Sequence, residues 1–278
     1  MVNLRPMSFK SIAVIAAIIA AIAVVAADPR DQDKYKQSNG TVCGLEGTAK
    51  GSGAKALDRL KNRYGPPTDD DIDDSVTLAA VLAPGEDEDR FDATKGAEIT
   101  GFVINVKPGG TETCNCMAKA LIDRDTHIEL ALHKDAPETQ RVIVEVTPRL
   151  RAQMKEKSID WGTRALKKQL EGKWVKFTGW MMFDSMHHGQ AENTNPGGAG
   201  NWRATCWEIH PVTNIEVLAG PPRGTSEVHP DVLREFHRTQ AAQLKRSKER
   251  RDKLEERRKK LLEGFEKEDL EELDAHAR

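Results

Sequence analysis

The run Thr126–Leu132 alternates strictly, with Thr126, Ile128, Leu130 and Leu132 on one face and Asp125, His127 and Glu129 on the other. A period of two marks a strand with two different faces, because successive side chains point to opposite sides. Four other runs read as strands. Glu98–Val106 carries Ile99, then alternates through Phe102, Ile104 and Val106, and Pro108-Gly109-Gly110 turns the chain. Arg141–Thr147 is the third strand, with Pro148 ending it, and Lys173–Phe183 is the fourth. After a Gly- and Asn-rich loop, Gly189–Asn201, the fifth runs Trp202–His210 and continues as Thr213–Leu218 beyond Pro211. One helical piece, best between Thr163 and Leu170, separates the third strand from the fourth.

Five strands with a helix between the third and fourth confine residues 97–218 to a mainly β domain. In element order and strand pattern this stretch resembles an OB-fold, a five-stranded barrel. Gly101 and Gly179, inside the first and fourth strands, suit sharp barrel curvature. Another small antiparallel barrel or a sandwich is the alternative.

The flanks differ in composition. Residues 28–53 are polar and read as a linker with one anchored cysteine, and residues 54–96 as a helical flank. A first helix runs Ala54–Tyr64, with Ala56, Leu57 and Leu60 at helical spacing and Gly65-Pro66-Pro67 as its stop. Thr68 caps a second, Asp69–Leu82, whose acidic first turn suits the helix dipole. The acidic run lacks the spacing and Gly of a calcium loop. After a Pro/Gly linker, 219–230, residues 231–278 read as a long charged helix. Its basic part, Lys245–Lys260, and acidic part, Glu263–Asp274, fit either one solvated helix or self-association as a coiled coil.

Met1–Ala27 has the three parts of a secretory signal peptide: Arg5 and Lys10, the apolar run Ile12–Val25, and small residues before Asp28. The expected location is therefore the periplasm or the outside of a bacterial cell. Contact with a membrane would come only through this segment, were it left uncleaved. In an oxidising compartment an even number of cysteines favours disulfides. Cys114-Asn115-Cys116 is too tight for an easy internal bridge, so one of this pair is expected to join Cys43 and the other Cys206. With 44 acidic and 42 basic residues, no global charge points to nucleic acid.

Ionisable residues are dense in the strand region. Asp123, Asp125 and His127 form one group, and Glu145 with Arg149 a second. Asp184 and His187 form a third, and Glu208 and His210 a fourth. Residues two apart share a face, so Asp125 projects with His127 and Glu208 with His210. Gathered at a barrel rim, Asp125, His127, Glu208 and His210 could hold a divalent cation, calcium or zinc, or do acid–base work. The plainer reading is a set of ion pairs locking a barrel end.

Two resemblances bear on function. Leu121-Ile122-Asp123-Arg124-Asp125-Thr126 and Lys134-Asp135-Ala136-Pro137-Glu138 are similar to two motifs of thermonuclease-like nucleases, with Arg124 in place of a Gly. That resemblance implies a metal-dependent phosphodiesterase in which Asp123 and Asp135 face the metal and Glu138 acts on the attacking water. Val144-Glu145-Val146-Thr147-Pro148-Arg149 and Trp207-Glu208-Ile209-His210-Pro211-Val212-Thr213 resemble phrases of exported bacterial proteins without an assigned activity. Together these readings give an exported binding or accessory module of the bacterial envelope, with its ligand unidentified. A metal-dependent nuclease is one alternative, and a binder of single-stranded nucleic acid or oligosaccharide is another. The second and third strands lack Phe, Tyr and Trp, the usual platforms for stacking bases, so the nucleic-acid signature is weak.

Overall fold

The strand pattern closes on itself. The computed structural model describes residues 33–222, together with Lys253, Glu256 and Lys259 as single helical positions. The stretch read as a signal peptide, most of the one read as the 219–230 linker and nearly all of the one read as a charged C-terminal helix lie outside the described residues. From Tyr35 the chain forms a small hairpin, β1 (Tyr35–Lys36) with β2 (Val42–Cys43), then helix α1 (Ser52–Lys61) and a short helix α2 (Leu78–Val81). The barrel strands β3 (Gly96–Pro108), β4 (Thr126–Ala131) and β5 (Val142–Val146) follow. Helices α3 (Pro148–Glu156) and α4 (Thr163–Leu170) lead to β6 (Trp174–Phe183) and β7 (Trp207–Val217).

The five strands form a closed barrel in the order β3-β4-β5-β7-β6. Neighbours are antiparallel except β5 and β7, which run parallel. Closure leaves no free sheet edge. One face of the alternating pattern fills the interior: Ile128 and Leu130 of β4, Val142, Val144 and Val146 of β5, Phe177 and Met181 of β6, and Ile209 and Val212 of β7. Helix α4 adds Leu166 and Leu170 to this core. Trp207 packs edge-on against Phe91 and Phe183, each at 5.4 Å, and its indole N–H donates to the Asp87 carbonyl at 2.6 Å. Gly179 is needed for close approach: a Cβ there would collide with the Pro211 carbonyl oxygen and Ile209 of β7.

Several expectations are corrected. The second flank helix, Asp69–Leu82, does not form. In its place are a 3-10 turn, Asp69–Asp71, and the four-residue α2. Local side chains offer the backbone other partners, since Asp71 accepts from Thr68 N and Oγ1, and Asp73 accepts from Ser75 N and Oγ. Pro148 begins a helix as well as ending a strand, because Pro suits the first helical position and Thr147 Oγ1 caps it by accepting from Leu150 N. The fifth strand starts at Trp207 instead of Trp202 and runs unbroken through Pro211. The stretch read as a linker contains the β1–β2 hairpin.

Cys43 and Cys116 form a disulfide, whereas Cys114 and Cys206 are buried free thiols. Cys206 is occupied elsewhere: its N–H donates to Asp87 Oδ2 at 2.7 Å, and its sulfur lies 3.6 Å from Thr194 Oγ1. A disulfide is the mark of an oxidising compartment. Among the described residues no helix is long and apolar enough to cross a membrane.

Candidate functional site

The outward faces of β4 and β5 should meet water, yet every residue of both strands is buried. Register explains what gathers there. His127 of β4 stands directly opposite Glu145 of β5. The parallel pairing of Ile143 with Glu208 and Val144 with Ile209 then carries the next outward residue of β7, His210, to the same place. Interior positions alternate with these, so the barrel wall has an apolar inside and a charged outside.

Three segments cover that charged wall. Helix α1 brings Asp58 and Lys61, its two buried residues, so it docks by a charged face instead of the expected apolar stripe. The loop after β3 brings Glu112, Cys114 and Asn115, and the loop after β6 brings Asp184, His187, Trp202 and Arg203. Lys61 Nζ bridges Glu112 Oε2 and Asp184 Oδ2, each at 2.7 Å. Arg203 Nη1 donates to Glu208 Oε1 at 2.6 Å, with both side chains fully buried. His210 Nδ1 lies 3.2 Å from Glu208 Oε2 and 3.6 Å from Glu145 Oε2. His127 Nε2 lies 3.1 Å from Glu145 Oε1 and 3.9 Å from Glu112 Oε1, neither contact having hydrogen-bond alignment. Asn115 Nδ2 donates to Asp125 Oδ2 at 2.5 Å.

The cluster is short of positive charge. Among the described residues six carboxylates (Asp58, Glu112, Asp125, Glu145, Asp184, Glu208) face Lys61, Arg203, the imidazoles of His127, His210 and His187, and Arg151, which acts on Asp125. With the imidazoles neutral, six negative charges meet three positive ones. The titrations reflect the imbalance. Burial, aided by Glu145 and Glu112, pushes the Asp125 carboxyl up to about 7 against the pull of His210. Burial also raises Asp58. Burial opposes charge on both histidines, yet Glu145 and the other carboxylates beside them hold both above the usual imidazole value. Burial likewise works against Glu112 and Glu208. The His127 contact and Lys61 overcome it for the first, Arg203 and His210 for the second, and both sit well below the usual carboxylate range.

A stability prediction follows for the cation-free protein. A folded-state value near 7, against 3.8 for an ordinary aspartate, means the folded chain keeps a proton that the unfolded chain releases. Stability from this group therefore falls as pH rises from about 4 to 7. The raised histidines act in the same direction at higher pH, and the depressed Glu112 and Glu208 lose their contribution only in acid. Asp125→Asn should raise the stability of the cation-free protein at pH 8 by roughly 2–4 kcal/mol and change it little at pH 4. Urea unfolding at the two pH values measures both.

Polar atoms without hydrogen-bond partners mark where something else belongs. Asp125 Oδ1, Glu145 Oε2 and His210 Nε2 are all buried and lack one. Asp125, Glu145 and His210 also place ligand-capable atoms within 4.8 Å of one another, as do Glu112, His127 and Glu145. A cation bound at the first trio would meet a carboxylate pair and an imidazole. The contact of His210 Nδ1 with Glu208, itself fixed by Arg203, orients the ring beside the two carboxylates. The residues present thus fit a divalent cation.

The cluster is reached through a groove of about 970 Å³. Trp202, Met117 and Met186 give it apolar walls, and Lys61, Glu112, His127 and His187 line its floor and rim. Trp202 lies nearly parallel to the His127 ring at 6.5 Å and, among the described residues, is the only Trp, Tyr or Phe lining this groove. A second groove of similar size, about 960 Å³, lies by Leu121, Ile122 and Trp161 and holds none of the ligand-capable trios.

Of the residues singled out from sequence, Asp125, His127, Glu145, Asp184, Glu208 and His210 converge on this wall, with His187 at its rim, 3.8 Å from Asp184 Oδ2. Asp123 and Arg149 do not join it. Asp123 accepts hydrogen bonds from Tyr35 and from Ser38 of the β1–β2 hairpin, while Arg149 donates to Asn62 Oδ1 and the Cys43 carbonyl. The four residues nominated as metal ligands do not form one shell. Asp125 and His210 share Glu145, His127 faces Glu112 and Glu145, and Glu208, paired with Arg203, groups instead with Asp184 and His187. Asp123 and Asp135 of the nuclease-like motifs lie beyond opposite ends of β4, whose six residues separate them by on the order of 20 Å. Glu138 is exposed on a 3-10 turn.

Sequence reasoning passed over Lys61, Glu112 and Arg203. Glu112 sits in Gly109-Gly110-Thr111-Glu112-Thr113-Cys114-Asn115-Cys116, where a carboxylate beside two cysteines was the available signal. Lys61, in the helix read over Ala54–Tyr64, and Arg203, in the strand read from Trp202, gave none, because a single basic residue in either element reads as solvated. No protein-family model matches this chain, and no curated protein matches it.

Proposed function

We propose that the chain is an extracytoplasmic binding module with an OB-like barrel, holding a divalent cation of the zinc class beneath a ligand groove. The strand order and the one parallel pair support the OB-like assignment. In OB-folds the face of strands two and three, with the loops after strands one and four, takes the ligand. The corresponding parts here are β4, β5 and the two loops that carry Glu112 and Trp202. Secretion is supported by the amino-terminal pattern of Met1–Ala27 and by the Cys43–Cys116 disulfide.

The observation that carries the cation is the coincidence at Asp125, Glu145 and His210. Their ligand atoms lie together, and each residue has a buried atom with no hydrogen-bond partner. Imidazole plus carboxylates suits zinc better than calcium, which takes six to eight oxygens. Bound there, the cation would supply positive charge to the cluster beneath the groove floor formed by His127 and Glu112. Trp202, Met117 and Met186 would pack the ligand's apolar part. A single aromatic wall favours a small ligand over a strand of stacked bases.

The test is thermal unfolding of chelator-treated protein with added metal. Zinc at about 100 times its dissociation constant should stabilise the fold by about 2.7 kcal/mol, and His210→Ala should abolish the shift. An unchanged melting temperature with zinc, manganese and calcium alike would sink this reading.

A further inference from the structure

Glu145 stands between the two imidazoles. One of its oxygens, Oε1, lies 3.1 Å from His127 Nε2, and the other, Oε2, lies 3.6 Å from His210 Nδ1. Four ligand-capable trios occur among the described residues, and Glu145 is shared by the two that contain a buried imidazole, Glu112–His127–Glu145 on the groove side and Asp125–Glu145–His210 beneath it. We propose that Glu145 is a bridging carboxylate between two divalent cations, an inner one at Asp125 and His210 and an outer one at Glu112 and His127 that opens on the groove. This rests on the cation reading above and extends it by a second ion.

Geometry supports the outer ion. His127 Nε2 is buried without a hydrogen-bond partner although two carboxylate oxygens lie at 3.1 and 3.9 Å. Ligands of a tetrahedral zinc, each at 2.0–2.2 Å from the metal, are about 3.4 Å from one another, and the two distances bracket that value. Lys61 holds Glu112 by Oε2, which leaves Oε1 turned to His127. Glu112 and His127 both line the groove, so an outer ion would keep a coordination position for a ligand.

Charge favours more than one ion. Histidines that bind metal are neutral. Six carboxylates against Lys61, Arg203 and Arg151, which acts on Asp125, then leave three negative charges, and one divalent cation leaves one of them uncancelled. Bridging carboxylates hold paired ions about 3.5–4 Å apart in two-metal sites.

The experiment uses the full chain, stripped with chelator and reloaded with manganese or zinc. Metal analysis after desalting should give two ions per wild-type chain and one for Glu112→Gln. The loaded wild type should show the exchange-coupled manganese spectrum of a bridged pair by electron paramagnetic resonance. Glu145→Gln should lose that coupling. One ion per chain in both wild type and Glu112→Gln would overturn the paired site while leaving the single-cation reading intact. Two ions without magnetic coupling would overturn the bridge. No retained metal would overturn both readings. The spectrum of the wild type decides even where a variant fails to fold.

Discussion

Arg203→Met should lower the melting temperature by on the order of 10 °C. Arg203 and Glu208 are fully buried and meet at 2.6 Å, and Arg203 Nε also donates to the Thr205 carbonyl at 2.6 Å. Removing one partner of such a pair leaves the other charge buried and unpaired, at a cost of about 3–5 kcal/mol. In a domain of this size each kcal/mol moves the midpoint by roughly 2–4 °C. The loss should propagate, because Glu208 also contacts His210 Nδ1. Replacing both partners, Arg203→Met with Glu208→Gln, removes the stranded charge and should recover most of the stability. A double variant no more stable than Arg203→Met alone would mean that Arg203 acts through its packing on Trp202, 5.3 Å from the ring centre, instead of through its charge.

The second large effect is on the disulfide. Cys43–Cys116 spans 73 residues and ties the β1–β2 hairpin to the loop that carries Glu112 and Cys114. Replacing both cysteines by serine should cost about 4 kcal/mol, as expected for closing a loop of that length. The same change should weaken cation binding, because Glu112 and the loop around it lose their tether to the hairpin. In the single variant Cys116→Ser, Cys114 should not take over the bridge to Cys43: its sulfur lies 3.5 Å from Glu112 Oε2, and burial with neighbouring carboxylates holds the thiol well above its usual value. Denaturant unfolding and zinc titration of the double variant measure the two effects separately.

The barrel was legible in the sequence because a half-buried strand writes its two faces as alternation. Ile128 and Leu130 against His127 and Glu129 is such a case, and Glu208 with His210 on either side of Ile209 is another. Pairing register was not legible. Nothing along the chain says that His127 faces Glu145, or that β5 and β7 run parallel and so bring His210 beside it. The wall was expected at a barrel rim in contact with solvent. It lies on the outside of the barrel, dry because α1 and two loops cover it. The covering residues were not legible either: Lys61 ends a helix whose periodic residues are apolar, Glu112 follows a turn and Arg203 lies in a loop that read as strand, and a charged residue in any of these reads as solvated. The second flank helix failed for a different reason. Thr68–Asp71 and Asp73–Ser75 hydrogen bonds compete locally with helix formation, and a dipole argument over the acidic run does not register that competition.

The central claim is that the buried wall holds a cation between Asp125, Glu145 and His210. Crystals of the full chain grown with zinc, measured on both sides of the zinc absorption edge, test it most directly. The account predicts an anomalous peak about 2.0–2.2 Å from Asp125, Glu145 and His210, with Glu208 still paired to Arg203. A well-ordered wall with no peak, its carboxylates and imidazoles joined to one another by hydrogen bonds or water, would contradict it and leave the cluster as a structural clasp.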